Sequence, residues 1–179
     1  MHILETDRLI LRRWTADDEA PCHAICSDPL VMQYVADGAC WSLERTRQFI
    51  EEAMATERQY GYCRWPMILK ADGLLAGFCG FTPAEGGAEM GWRLASRYWG
   101  RGLATEAARA VLAYGFSRFG FRRVIATVQS ANGPSRRVAE KLGMTLERTI
   151  QRNGREVLVF AATSPGSPRQ GTADVQWPG

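Results

Sequence analysis

The stretch Arg97-Tyr98-Trp99-Gly100-Arg101-Gly102-Leu103-Ala104-Thr105-Glu106-Ala107 constrains this chain more than any other. It joins the end of an apolar segment to the start of a long amphipathic pattern, with two glycines just ahead of the helix start. Unpaired N–H groups and the positive end of a helix dipole then converge on one spot, the anatomy of an anion cradle. Arg97 and Arg101 add charge suited to phosphate oxygens. The stretch reads as a pyrophosphate site, the plainer alternative being an ordinary glycine turn before a helix.

Spacing narrows the ligand. A Walker loop needs Gly-Lys-Ser/Thr after four intervening residues, and the chain has no such sequence. A dinucleotide fingerprint wants a third Gly or Ala where Thr105 stands, and an acid at the tip of the next strand. The strand expected at Val124–Val128 ends instead in Gln129 and Ser130. What remains, Arg97-x-x-Gly100-x-Gly102-x-Ala104, resembles the coenzyme A signature of the GNAT superfamily of N-acetyltransferases.

Other segments extend the resemblance to the RimJ/RimL-type branch of that superfamily. Glu5-Thr6-Asp7-Arg8-Leu9-Ile10-Leu11-Arg12-Arg13-Trp14, followed by Asp17-Asp18, is similar to its first strand. Ser27-Asp28-Pro29-Leu30-Val31-Met32 and Trp41-Ser42-Leu43-Glu44 resemble its next two helix entries. Asn132-Gly133-Pro134-Ser135 with Glu140-Lys141-Leu142-Gly143-Met144 resembles its second cofactor motif. These segments occur in the right order and cover nearly the whole chain outside its tail.

The residue pattern supplies an element order independently. Leu9 and Leu11 alternate with Arg8, Ile10 and Arg12 in an opening strand. Thr15 is placed to cap a helix over Asp17–Cys26, Pro29 opens another, and Ser42 caps a third. The third carries Leu43, Thr46, Phe49, Ile50, Ala53 and Met54 at helical period. The period then changes to two. Trp65–Leu69 and Leu74–Phe81 flank Asp72-Gly73, and Ala88–Leu94 follows the Glu85-Gly86-Gly87 turn. A helix over Arg101–Phe119, a strand over Arg123–Val128 and a helix capped by Asn132 or Gly133 come next. Leu146–Gln151 and Glu156–Ala162 close the pattern as a hairpin around Asn153-Gly154.

These elements predict an α/β (α+β) domain over residues 1–163 with a mixed, mostly antiparallel seven-stranded sheet. The Ser/Pro/Gly-rich segment 164–179, which includes Trp177, reads as a disordered tail. The GNAT resemblance adds helices on both faces and a splayed parallel pair of central strands. A net charge of +3 with scattered basic residues gives no nucleic-acid stripe, and no apolar run approaches membrane length. With no secretory n-region or h-region visible, a cytoplasmic location is expected, as a monomer or homodimer. Five cysteines lack metal-ligand spacing, Cys22 and Cys26 share one helix face and read as buried thiols, and no metal is expected.

The resemblance implies acetyl-CoA as cosubstrate and an amine acceptor, either a protein amino terminus or a small molecule. It places Met90, Trp92, Arg93 and Leu94 along the cofactor, and Arg97, Trp99, Gly100, Arg101, Gly102, Leu103, Ala104 and Thr105 around its phosphates. Asn132 and Ser135 lie beside the cofactor arm in that branch, with Ser135 the candidate donor to the departing thiolate; as plain sequence they are helix-start residues. For amine activation the candidate is Glu89, at the start of the strand that leads into the cradle. Glu89, Gly91 and Arg93 share one strand face, so a surface pair of Glu89 with Arg93 is the competing reading.

Many GNAT enzymes carry a general-acid tyrosine seven residues after the Asn, where this chain has Ala139. Ser135, Tyr34 or Tyr98 is left to fill that role. A non-catalytic acyl-CoA-binding or sensor protein on the same fold is the alternative this departure keeps open. The segment between Asp28 and Trp41 is expected to wall the acceptor site. It holds no acidic cluster suited to a polycation.

Overall fold

A computed structural model describes residues 2–165, so nearly all of the expected tail, Trp177 included, lies outside the described residues. The elements run β1 (His2–Glu5), β2 (Leu9–Arg12), a 3-10 turn (Ala16–Asp18), α1 (Glu19–Cys26), α2 (Pro29–Met32) and α3 (Leu43–Tyr60). Next come β3 (Arg64–Leu69), β4 (Leu75–Ala84), β5 (Gly87–Leu94), a 3-10 turn (Ser96–Tyr98) and α4 (Leu103–Arg118). The chain closes with β6 (Arg123–Gln129), α5 (Gly133–Lys141), β7 (Thr145–Arg152) and β8 (Arg155–Thr163). One sheet holds them in the order β1-β2-β3-β4-β5-β6-β8-β7.

The sheet has eight strands rather than the expected seven. The additional one, β1, is a four-residue edge strand with no fully buried side chain, so it leaves no alternation to read. Every neighbouring pair is antiparallel except β5 and β6.

Local chemistry explains the helix starts. The Ser42 hydroxyl accepts from the Arg45 N–H at 3.1 Å, Asp28 from the Leu30 N–H at 2.9 Å, and Asn132 from the Ser135 N–H at 3.1 Å. Each satisfies a backbone donor that the first helical turn leaves without a partner. Thr15 and Asp18 form a reciprocal capping box, and the Asp18 carboxylate also holds Arg12 through a fork of 2.7 and 2.6 Å. On α3, Thr46, Phe49, Ile50 and Ala53 are buried, while Leu43, at the first helical position, stays exposed.

Residue parity on β4 assigns the helices to the two faces of the sheet. Phe78 packs on Phe49 of α3, with ring centroids 4.7 Å apart, and on Trp14. Phe81, of opposite parity, lies against Phe121 and so close to Gly115 of α4 that a Cβ there would fall 2.5 Å from its ring. One face is thus covered by α1 and α3 and the other by α4. Burying side chains of this size stabilises by about 1.5–3 kcal/mol each.

Candidate active site

The parallel pair parts almost as soon as it forms. β5 is in register with β4 along its whole length and β6 with β8, yet β5 meets β6 only at Ala88–Val124 and Glu89–Ile125. From Met90 to Leu94 the β6-facing edge of β5 has no strand beside it among the described residues. A cavity of about 300 Å³ occupies the opening, and Tyr34, Glu89, Trp92, Thr127, Asn132 and Ser135 are among its lining residues. Tyr34, Val35 and Ala36, from the segment between Asp28 and Trp41, form one wall of this cavity.

Glu89 is the last residue at which the two strands still pair, so it stands where the fork opens. Thr127 of β6 donates its hydroxyl proton to Glu89 Oε1 at 2.5 Å, bridging the gap. Arg93 makes no pair with it. The Arg93 guanidinium reaches α1 to donate to Cys26 Sγ at 3.2 Å, and lies over the rings of Trp41 and Phe78 at 4.5 and 5.0 Å. The surface Glu89–Arg93 pair is therefore replaced by two separate attachments. Arg93 can serve the fork's edge only through its backbone.

The other face of β5 presents Met90, Trp92 and Leu94. The Trp92 indole N–H donates to Ser135 Oγ at 2.9 Å. That bond uses an acceptor site of the hydroxyl and leaves its own proton free to be donated. Asn132 spends its side-chain oxygen on capping α5, which fixes where Ser135 sits. Glu89 and Ser135 thus approach one opening from opposite faces of the sheet.

Where β5 ends, the cradle begins. Gly100 and Gly102 have φ of 75° and 77°, left-handed values that disfavour any residue with a Cβ. This conformation turns successive amides the same way, and the N–H groups from Gly100 to Thr105 have no backbone acceptor among the described residues. Leu103 is buried, so its side chain belongs to the core and only its amide is offered. The Trp99 indole donates to the Leu94 carbonyl at 2.8 Å and pins the cradle to the strand end. Arg97 and Arg101 both lie over the Tyr98 ring, at 4.8 and 5.6 Å. Tyr98 itself donates to Asp72 and is buried, which removes it as a proton donor to the fork; Tyr34 stays at the cavity.

These donors fit the cosubstrate that the coenzyme A signature implies. The open amides at a helix amino terminus match a pyrophosphate, and the unpaired β5 edge matches an amide-bearing arm. Among the described residues no cluster of His, Cys, Asp or Glu is arranged to hold a metal ion. No described helix is long and apolar enough to cross a membrane.

Sequence reasoning did not reach Arg64 and Thr127, which line the cavity, or Arg155, which braces its wall. An isolated arginine at the start of a strand and a threonine within one carry no spacing signal. Arg8, which the sequence placed only in the alternation of the opening strand, forms an ion pair with Glu106 in the first turn of α4 and donates to the Arg101 carbonyl.

Residues 8–145 match the family model described as an acetyltransferase (GNAT) domain. The chain is 34% identical over 149 residues to the uncharacterized N-acetyltransferase YnaD of Bacillus subtilis (strain 168), covering 82% of this chain and 84% of that protein. A GNAT-family acetyltransferase from Bacillus anthracis superposes with a TM-score of 0.80 at 32% identity, covering 91% of this chain and 98% of that one. RimL, a ribosomal alpha-N-protein acetyltransferase solved in complex with coenzyme A, shares the fold with a TM-score of 0.76 at 20% identity, covering 92% of this chain and 98% of that one. A glycine cradle at the mouth of a forked sheet, under a family model spanning most of the sequence, makes this chain a member of the GNAT acetyltransferase family, enzymes that draw their acetyl group from acetyl-CoA.

Proposed function

We propose that this protein transfers an acetyl group from acetyl-CoA to a primary amine, by direct attack within a ternary complex. The observation that carries this reading is the position of Glu89 at the apex of the fork, with Ser135 facing the same opening from the other side. Acetyl-CoA supplies a carbonyl carbon activated as a thioester, whose C–S bond breaks as the new C–N bond forms. The amides from Gly100 to Thr105, with Arg97 and Arg101, hold its phosphates, and the backbone of Met90, Trp92, Arg93 and Leu94 lines its arm. Trp99, Leu103, Ala104 and Asn132 complete that contact surface.

Glu89 takes the proton that the amine must lose, either directly or through one water. An N–H on the open β5 edge is directed at the carbonyl oxygen, where a fixed donor stabilises developing charge better than mobile water does. Ser135, oriented by Trp92, gives a hydrogen bond to the departing sulfur, the work a tyrosine at position 139 does in many relatives. The acceptor is a small amine or a protein amino terminus, entering along the Tyr34–Ala36 wall.

A thermal melt with acetyl-CoA, paired with an assay for released thiol, tests this reading. At about a hundred times its dissociation constant the cosubstrate stabilises by about 2.7 kcal/mol, which at this chain length is roughly 5–10 °C. Gly102→Glu puts a Cβ and a negative charge at a left-handed position of the cradle and is expected to abolish the shift. A wild-type protein that melts cooperatively but does not respond to acetyl-CoA overturns the proposal. A full shift without thiol release in the presence of any amine favours a non-catalytic acyl-CoA sensor.

A further inference from the structure

Arg64 is a charged group lining the fork that the transfer reading leaves unused. It opens β3, and its register partners across the next two strands are Gly80 and then Gly91. Neither has a side chain to stand in its path, so the guanidinium lies directly over β5. A Cβ on Gly91 would fall 2.8 Å from its Nε, 2.9 Å from its Cζ and 3.0 Å from one of its terminal nitrogens. Gly91 lies between Glu89 and Arg93 on the same strand face, the face that carries the proton acceptor.

No side-chain hydrogen bond or ion pair of Arg64 occurs among the described residues, and its Nε is sealed from solvent without a partner. Burial pushes its pKa below the usual arginine value; Glu89 opposes that shift and Arg93 adds to it. Arginine nevertheless stays charged at any pH a protein tolerates, so the cost of an unanswered cation persists. Other arginines of this chain are answered: Arg12 by Asp18, Arg8 by Glu106, Arg123 by Glu147. Among the residues lining the cavity Glu89 is the single acid, against Arg64, Arg93 and Arg152, and Arg93 is already spent on Cys26 and two rings. The cavity is short of negative charge at Arg64.

We propose that Arg64 docks a carboxylate of the acceptor, which makes the acceptor a small amine carrying its own carboxylate, of the amino-acid type. The inference rests on the transfer reading of the same fork. Alternate residues on a strand are about 6–7 Å apart, so a ligand spanning from above Gly91 to Glu89 has its amine and carboxylate separated by only a few bonds. A cavity of about 300 Å³ suits such a molecule beside the end of the cofactor arm. Planar, two-point recognition of a carboxylate is what a guanidinium does better than an ammonium.

The test uses the intact protein with acetyl-CoA, L-amino acids and β-alanine, the carboxamide of each, and short peptides blocked at the carboxyl end. Wild type is expected to use the best carboxylate-bearing amine about 10–100-fold better, in kcat/KM, than its carboxamide, the worth of a charged hydrogen-bonded pair. Arg64→Gln is expected to bring that ratio near one, chiefly through KM, and Arg64→Lys to restore part of it. A melt with acetyl-CoA checks that each variant folds and loads.

Equal use of acid and carboxamide by wild type overturns the inference, as does a ratio that survives in Arg64→Gln. Preference for the blocked peptides, or acetyl-CoA binding with no turnover of any carboxylate-bearing amine, overturns it too. A wild-type melt that acetyl-CoA does not move removes the transfer reading itself, a distinct failure that takes the inference with it.

Discussion

The Glu89 carboxylate is anchored through one oxygen, by the Thr127 hydroxyl, and its other oxygen has no partner among the described residues. A glutamine at 89 can still accept the Thr127 hydrogen bond through its amide oxygen but can no longer take up a proton. Glu89→Gln is therefore expected to leave the acetyl-CoA melt shift intact while kcat falls about 100-fold or more, the usual worth of a general base. Steady-state rates across pH check this, and wild-type turnover in the variant removes Glu89 from the mechanism. The structure brings Glu89 and Ser135 to one cavity, and both could be singled out in the sequence because one starts the strand leading into the cradle and the other stands in the Asn-x-x-Ser element. Arg93 was legible only in part: strand parity put it on the right face, but Cys26, Trp41 and Phe78 come from distant segments that parity cannot foresee. Arg64 left no trace, since its position over β5 depends on two glycines aligned by sheet register.

At the scale of elements, α4 is the piece that makes the cradle, and its first turn is tied to the turn between β1 and β2. Glu106 accepts from the Thr6 hydroxyl at 2.6 Å, from the Arg8 N–H at 2.9 Å and from the Arg8 guanidinium at 2.7 Å. Burial alone raises its pKa; the Thr6 hydroxyl and Arg8 outweigh that and hold the carboxyl below its ordinary value. The tie is thus fully present above about pH 5.5, over a unit above the unfolded glutamate value, and is lost as pH falls through the lower folded value. Glu106→Gln is expected to cost about 1 kcal/mol at neutral pH, or roughly 2–4 °C, because Arg8 is half exposed and partly screened. The gap between the two melting curves should close as the pH falls below 4; a gap independent of pH would mean that the charge of Glu106 is not what holds the turn. The glycine turn and α4 were readable because glycine positions and helical period agree over one continuous stretch. The parting of β5 from β6 was expected only through the GNAT resemblance and not from spacing, because strand pairing is decided by what lies between two segments rather than within either.

Across the whole molecule, the Tyr34–Ala36 wall of the cavity is held from the far side of the fork. Segment 33–38 lies between α2 and α3, yet its carbonyls are gripped by β6 and β8. Gln129 donates to the Ala36 carbonyl at 2.8 Å, and Arg155 donates to the Gln33 and Asp37 carbonyls at 3.2 and 2.5 Å and to the Gln129 side chain at 3.1 Å. Ala36 keeps a left-handed φ of 49° within this grip, a conformation that costs a residue with a Cβ of order 1 kcal/mol or more. Arg155 therefore joins two halves that the sequence presents far apart, and it does so without reaching the cradle. Arg155→Ala is expected to raise KM for the amine about tenfold, the equivalent of about 1.4 kcal/mol of lost positioning, while the dissociation constant of acetyl-CoA stays put. Kinetics at saturating acetyl-CoA and a separate binding titration read the two effects apart. An equal loss of both affinities would show that the two substrates share one coupled site, and an unchanged KM would show that the acceptor does not use this wall.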